Sequence, residues 1–188
     1  MLGLPHSAGS DIIHLAALNL TDLMISLWCS TIDCTKPDDK STWDWAVLQG
    51  NIWQDHGRAV AAALHYLPSS FDRPPHNIAE KLTSGYKAWE FLLYLYGLGP
   101  GLLYGILPDN IFTNYCKLVL GIRLMNQYRI LEANVYDVHQ ALLSFAQEFE
   151  LLYCQCLPTR IHFIHPCMHS LVHLPYEILQ IGPPICSS

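Results

Sequence analysis

The chain has 188 residues, 51% of them hydrophobic and 14% charged, and a net charge of −6. Globular chains carry about a quarter charged residues, and this apolar excess excludes a disordered chain, a coiled-coil rod and a low-complexity tail. No basic run interrupts the acidic balance, so binding to nucleic acid through this chain alone has no electrostatic support, because neutralising phosphates takes clustered Lys and Arg. At about 150 residues per domain, the length suits one domain or one domain with an appendage.

In chain order the pattern is helical nearly throughout. Asn19 or Thr21 is placed to cap a helix running to about Thr31, and Cys34 to Lys40 forms a polar loop. Ser41 with Asp44 has the form of a capping box, opening a short helix that Gly50 ends. Asn51 caps the next helix, which runs through His65 into a Pro-rich loop at 67–77. Asn77 and Glu80 form a second capping box, with the helix continuing through Trp89 to Tyr96. Phe91 to Leu107 carries no charge and approaches the shortest membrane span. Gly97, Gly99, Pro100 and Gly101 interrupt it, which predicts two short buried helices around a turn instead of a span.

The second half has the clearest periodicity. Ile111, Tyr115, Leu118, Ile122 and Met125 form one stripe, with Asp109 as cap; Val135, Val138, Leu142, Phe145, Phe149 and Leu152 form another. Both repeat at spacings of three and four, the period of a helix that buries one face. A short connection near Gln127 to Leu131 predicts an antiparallel pair covering Ile111 to Gln127 and Glu132 to Tyr153. Only Arg160 to Ile164 alternates enough to suggest a strand. No repeat or linker divides the chain, which reads as one all-α unit.

Seven cysteines at positions 29, 34, 116, 154, 156, 167 and 186 do not form a compact secreted framework. The N-terminus lacks the positive region and apolar core of a signal peptide, so the expected compartment is reducing and intracellular. Three constellations bear on chemistry. Asp11, followed at i+3 by His14, supplies either a metal ligand with a supporting donor or a capping Asp beside a partly buried His. His169 and His173 are four residues apart, the spacing by which one helix face gives zinc two ligands. Cys154 and Cys156 lie upstream as the other two donors, and His162, His165 and Cys167 fall in the same segment. The competing reading makes the histidines hydrogen-bonded residues of a helix contact and the cysteines small core residues. Trp28, Trp43, Trp45, Trp53 and Trp89, with Tyr86, Tyr94 and Tyr96, lack interleaved Arg or Lys and read as core. No GxGxxG, P-loop, GxSxG or HExxH occurs.

The segments at 10–28 (SDIIHLAALNLTDLMISLW), 39–50 (DKSTWDWAVLQG), 70–109, 160–175 (RIHFIHPCMHSLVHLP) and 181–188 (IGPPICSS) together resemble one family. They are similar to the C-terminal part of transposases of the CACTA (En/Spm-like) superfamily, in the form abundant in mushroom-forming fungi. The resemblance implies a helical insertion domain of an RNase H-like nuclease at residues 19–188, with a short remnant of the nuclease edge at 1–18. Asp11 and His14 match the D-x-x-H segment that holds the second catalytic carboxylate. His169 and His173 match an H-x₃-H pair that joins two cysteines on zinc, although Cys154 and Cys156 are not spaced as C-x₂-C. Leu27, Trp28, Cys29 and Ser30 stand where the family reads Leu-Trp-Arg-Gly.

The first Asp of the triad is expected upstream of Met1 and the final Glu beyond Ser188. The family's Mg²⁺ chemistry needs several carboxylates holding ions about 4 Å apart, so the resemblance implies a transposase-derived chain that is inactive alone, needs no cofactor, and has a nuclear location. The runner-up is a helical interaction module, with a structural zinc as an option. Expected partners are a full-length transposase or a second copy, met through an apolar patch at Leu15, Leu18, Leu23 and Trp28. Asp11 is expected to be exposed with no second carboxylate beside it.

Overall fold

The computed structural model describes residues 13–68, 75–82 and 85–182, and every regular element among them is helical. A π-helical stretch, Ile13–Leu20, runs directly into α1, Thr21–Trp28. The run crosses residues 18 and 19 unbroken, so neither Asn19 nor Thr21 is a cap. Thr21 instead donates its hydroxyl to Ala16 O at 3.0 Å. The expected apolar patch is not exposed: Leu15, Leu23 and Trp28 are at most 7% accessible, and Leu18 is half-buried. The chain covers this face itself. Tyr96 donates to Ala16 O at 3.0 Å, Tyr115 packs edge-on to Trp28 at 5.4 Å, and Trp28 Nε1 donates to the Tyr153 hydroxyl at 3.0 Å.

The expected Cys34 to Lys40 loop is a loop as far as Asp39, and Lys40 opens a 3₁₀ turn. The capping box expected at Ser41 and Asp44 does not form, because Asp39 takes the cap and accepts from Ser41 N–H at 2.9 Å. It caps only a short 3₁₀ turn, Lys40–Thr42. Residues 43–49 then make turns that bury Trp43, Trp45 and Leu48, so aromatic burial overrides the local helix signal. Gly50 starts the next helix, α2 (Gly50–Ala62), instead of ending one, from a φ of +53°, a conformation open to glycine at little cost. Asn51 falls within its first turn. A 3₁₀ turn, Ala63–Tyr66, closes the element.

Asn77 caps α3, Ile78–Lys81, by accepting from Ala79 N–H at 3.0 Å. Glu80 accepts from the Asn77 amide at 2.9 Å and does not reach the cap's backbone. The helix stops at four residues and does not continue to Tyr96. The next run comprises α4 (Ala88–Leu92), a π stretch (Leu93–Leu98) and α5 (Gly99–Leu102), without interruption. The Gly-Pro cluster therefore does not divide it into two helices. Pro100 is the second residue of α5, where its ring offers no N–H to the stretch before it. At Gly99 the absent side chain lets the Tyr115 hydroxyl approach and donate to Leu95 O. The turn comes later, at 103–107, with Gly105 at φ +73°. Among the described residues no helix is long and apolar enough to cross a membrane.

The expected pair is α6, Asp109–Met125, and α7, Glu132–Phe149. Their contacts run in opposite directions. Asn114 donates to Phe145 O at 3.0 Å, Lys117 to Ser144 Oγ at 3.0 Å, and Gly121 abuts Leu142. The α6 stripe is buried throughout, as is the α7 stripe from Val135 to Phe149. At the end Leu152 is only half-buried and Tyr153 faces the core. The reason is a π stretch, Glu150–Cys154, whose wider turn shifts the register. Asp109 makes no side-chain cap bond but lies in the first turn, where a carboxylate complements the helix dipole.

Arg160 to Ile164 is not a strand. Residues 160–163 lie in a 3₁₀ helix, Pro158–Phe163, with Arg160 and Phe163 buried three residues apart, the repeat of that helix. Two short helices finish the fold, α8 (Pro166–Leu171) and α9 (Leu174–Ile181). The aromatic set is core at Trp28, Trp43, Trp45, Tyr86, Tyr94 and Tyr96, and half-buried at Trp53 and Trp89.

Candidate functional site

Asp11 lies outside the described residues. His14 is exposed on the first π stretch, and Asp22 and Asp33 are exposed as well. The histidine pair is assembled. His169 lies in α8 and His173 immediately precedes α9, with His173 N–H bonded to Ser170 O at 3.1 Å across the junction. Their Nε2 atoms are 3.2 Å apart, their ring centroids 4.6 Å, and both residues are exposed.

The cysteines do not join them. Gln155 and Cys156 both have left-handed backbones, φ 52° and 57°, and the turn closes with Leu157 N–H on Cys154 O at 2.9 Å. Cys156 is thereby exposed while Cys154 stays buried. Burial pushes the Cys154 thiol up to about 11, against the thiolate that zinc requires. Among the described residues no group of three or more His, Cys, Asp or Glu side chains could hold a metal ion. A Cys₂His₂ zinc site does not fit this arrangement. The neighbouring histidines serve other surroundings: His162 Nε2 donates to Asp33 O at 2.9 Å. His165 borders an open cavity of about 510 Å³ with Asn19 and Asp22, over Leu18, Phe91 and Cys167.

Three polar centres escaped the sequence reading. Arg160, 2% exposed, binds Asp38 through Nε (2.8 Å) and Nη2 (2.6 Å), Thr42 through Nη2 (2.9 Å) and Gln155 through Nη1 (2.7 Å). Its guanidinium lies 5.9 Å from the Trp43 ring and 5.1 Å from the Trp45 ring. Arg160 thereby holds the 34–40 loop against the C-terminal third. The Arg160 hydrogen bonds keep the Asp38 carboxyl below its ordinary range, with Trp43 Nε1 donating as well.

Glu90 is fully buried and accepts from Lys87 N–H (2.9 Å), His76 N–H (3.1 Å) and His76 Nδ1 (2.6 Å). Desolvation pushes its carboxyl up, but these hydrogen bonds outweigh it and leave the value lowered. His56, 3% exposed, meets the Tyr94 hydroxyl at 2.9 Å while its Nδ1 has no partner. Burial pushes its imidazole down to about 4. A signal for the first two existed. In a chain with few charges, an Arg or Glu flanked by Leu157, Ile161, Trp89 and Phe91 has to find a partner indoors. Each centre ties one segment to another.

Comparison with protein-family models, with curated proteins and with solved structures gives no match for the chain.

Proposed function

We propose that the chain is a self-contained helical module of transposase derivation that works through its surface and carries out no DNA chemistry by itself. The derivation rests on the segment resemblance from Ser10 to Ser188, with residues 19–188 equivalent to the helical insertion. Asp11 is the one carboxylate here that matches the triad, and cleavage by paired metal ions needs several converging on one site.

The observation that carries the choice of a working module over a broken remnant is the burial of Leu15, Leu23 and Trp28. The face that a nuclease core would cover is closed by the chain's own α4, α6 and α8 regions. A fragment dependent on a missing partner leaves such a face bare, and large bare apolar patches are unusual on monomers. The exposed apolar side chains include five tyrosines, Tyr66, Tyr104, Tyr128, Tyr136 and Tyr176, each more than 60% exposed. Tyrosine is enriched at protein interfaces. The partners are a full-length transposase or a second copy of the chain, and the compartment is the nucleus.

Two assays test this reading. Purified chain is incubated with Mg²⁺ or Mn²⁺ and DNA bearing the ends of the related element, and no cleavage or strand transfer is expected. Activity that disappears in Asp11→Ala overturns the proposal. Capture of a full-length homologue by the tagged chain, weakened by Tyr128→Ala and Tyr136→Ala together, supports the module. Capture indifferent to every exposed tyrosine contradicts it.

A further inference from the structure

Three segments meet around the open cavity of about 510 Å³: the first helical run, α4 and the start of α8. We propose that this cavity binds a small organic cation, a primary amine carried on an aromatic body, with Asp22 pairing the ammonium group.

The walls stand on packed elements. Asp22 lies four residues after Leu18 and three after Asn19 on the unbroken first run, so the three share one face. Phe91 stands on α4 next to Glu90, whose three hydrogen bonds hold that helix start in place. Its ring packs edge-on to Tyr86 at 4.8 Å. His165 precedes α8, and Met168 N–H bonds its carbonyl at 2.9 Å, tying down the turn that carries Cys167. Ligand pockets commonly measure about 300–1,000 Å³, so the volume suits one small molecule.

The lining divides by chemistry. Leu18, Phe91 and Cys167 form its apolar part, which suits an aromatic ring through edge or face contacts and contact with sulfur. Asn19, Asp22 and His165 form the polar part. Among the described residues, none of these three side chains has a hydrogen bond, ion pair or ring contact. Asp22 and His165 border the same cavity yet do not pair with one another, so their bonding capacity is open to a ligand. The permanent charge of the lining is the Asp22 carboxylate, and no Lys or Arg stands among the described lining residues. A ligand carboxylate or phosphate would meet a like charge, whereas an ammonium group gains a charge-assisted hydrogen bond. The side-chain carbonyl of Asn19 accepts a second ammonium proton, and the His165 ring meets a hydroxyl at the ligand's far end. The net charge of −6 draws the same class of ligand from a distance.

The test is an NMR titration of the isotope-labelled full chain with three probes of one shape: tyramine (an amine), tyrosol (an alcohol) and hydroxyphenylacetate (an acid). Tyramine is expected to give saturable shifts at Leu18, Asn19, Asp22, Phe91 and Cys167. Tyrosol should bind about two- to fivefold more weakly, the size of an exposed charge pair, and hydroxyphenylacetate more weakly still. Added salt should weaken tyramine alone, since Asp22 is exposed and its attraction is screened. Asp22→Asn should bring tyramine down to the level of tyrosol and leave tyrosol unchanged, a split that damage to the fold does not produce. Asn19→Trp, which fills the cavity from an exposed position, should exclude both. Absence of saturable shifts, or shifts centred elsewhere, overturns the proposal. So does the acid binding as tightly as the amine, or tyramine binding equally well to Asp22→Asn.

Discussion

Replacing Arg160 with Met keeps the aliphatic stem and removes the guanidinium, its four hydrogen bonds and its contacts with Trp43 and Trp45. The side chains of Arg160 and Asp38 are 2% and 4% exposed. Breaking a buried pair by removing one partner costs about 3–5 kcal/mol, because the remaining charge is stranded. The low end, about 3 kcal/mol, applies here, since Asp38 keeps the Trp43 Nε1 hydrogen bond at 3.0 Å. For a chain of this length that lowers Tm by about 6–12 °C.

The pH dependence carries the sign of the effect. In the intact chain the folded Asp38 pKa is below its ordinary 3.8. Its contribution is therefore complete above 3.8 and is lost as pH falls through the lower folded value. In Arg160→Met the unpaired carboxylate resists charging, its folded pKa rises above the unfolded one, and mild acid relieves the penalty. The deficit relative to the intact chain should narrow from pH 7 toward pH 4.5. Adding Asp38→Asn should recover most of it at pH 7. Urea unfolding of the three proteins at both pH values measures this. A deficit below about 1 kcal/mol, the size of an exposed pair, with no pH dependence would refute the reasoning.

Gly121→Ala sets helix propensity, worth about 1 kcal/mol in favour of Ala, against packing. The added methyl would lie 2.6 Å from Leu142 Cγ, and Leu142 is fully buried. Overpacking costs about 1–3 kcal/mol, so urea unfolding should show net destabilisation, and stabilisation would contradict the α6–α7 contact. His56 has a folded value of about 4 against an ordinary 6.5, so the unfolded chain takes up its proton first. Stability should fall as pH drops from about 6.5 to about 4, by as much as 3 kcal/mol for that shift, and His56→Gln should flatten the curve between those limits. Cys156 is exposed, while burial pushes Cys29 up to about 12 and Cys154 up to about 11. Mass-mapped alkylation under native conditions should modify Cys156 well before those two.

What the sequence disclosed follows from where periodicity is uncontested. The α6 and α7 stripes repeat over four or more turns without Gly or Pro in their interior except Gly121, and they fold as read. Of the aromatic set, Trp28, Trp43, Trp45, Tyr86, Tyr94 and Tyr96 also went inside. Local signals failed where a tertiary demand outweighed them. Ser41 and Asp44 looked like a cap, but Trp43 and Trp45 had to reach the core. Gly99 and Pro100 looked like a break, but a π stretch and the close approach of Tyr115 absorbed them. Arg160 looked like one step of a strand, because nothing local announces a partner at Asp38, 122 residues away. The supposed contact face of the first helix looked bare for the same reason: its cover comes from Tyr96, Tyr115 and Tyr153, distant in sequence.

That cover is the central claim, and amide hydrogen exchange on the full chain tests it most directly. If the chain closes its own core around the first helical run, the amides of Leu23 to Trp28 exchange only through global unfolding. Their protection then matches that of Leu118 to Ile122 in α6. Exchange of Leu23 to Trp28 near the rate of an unstructured peptide, while α6 stays protected, would contradict it and leave the first helix in need of an outside partner.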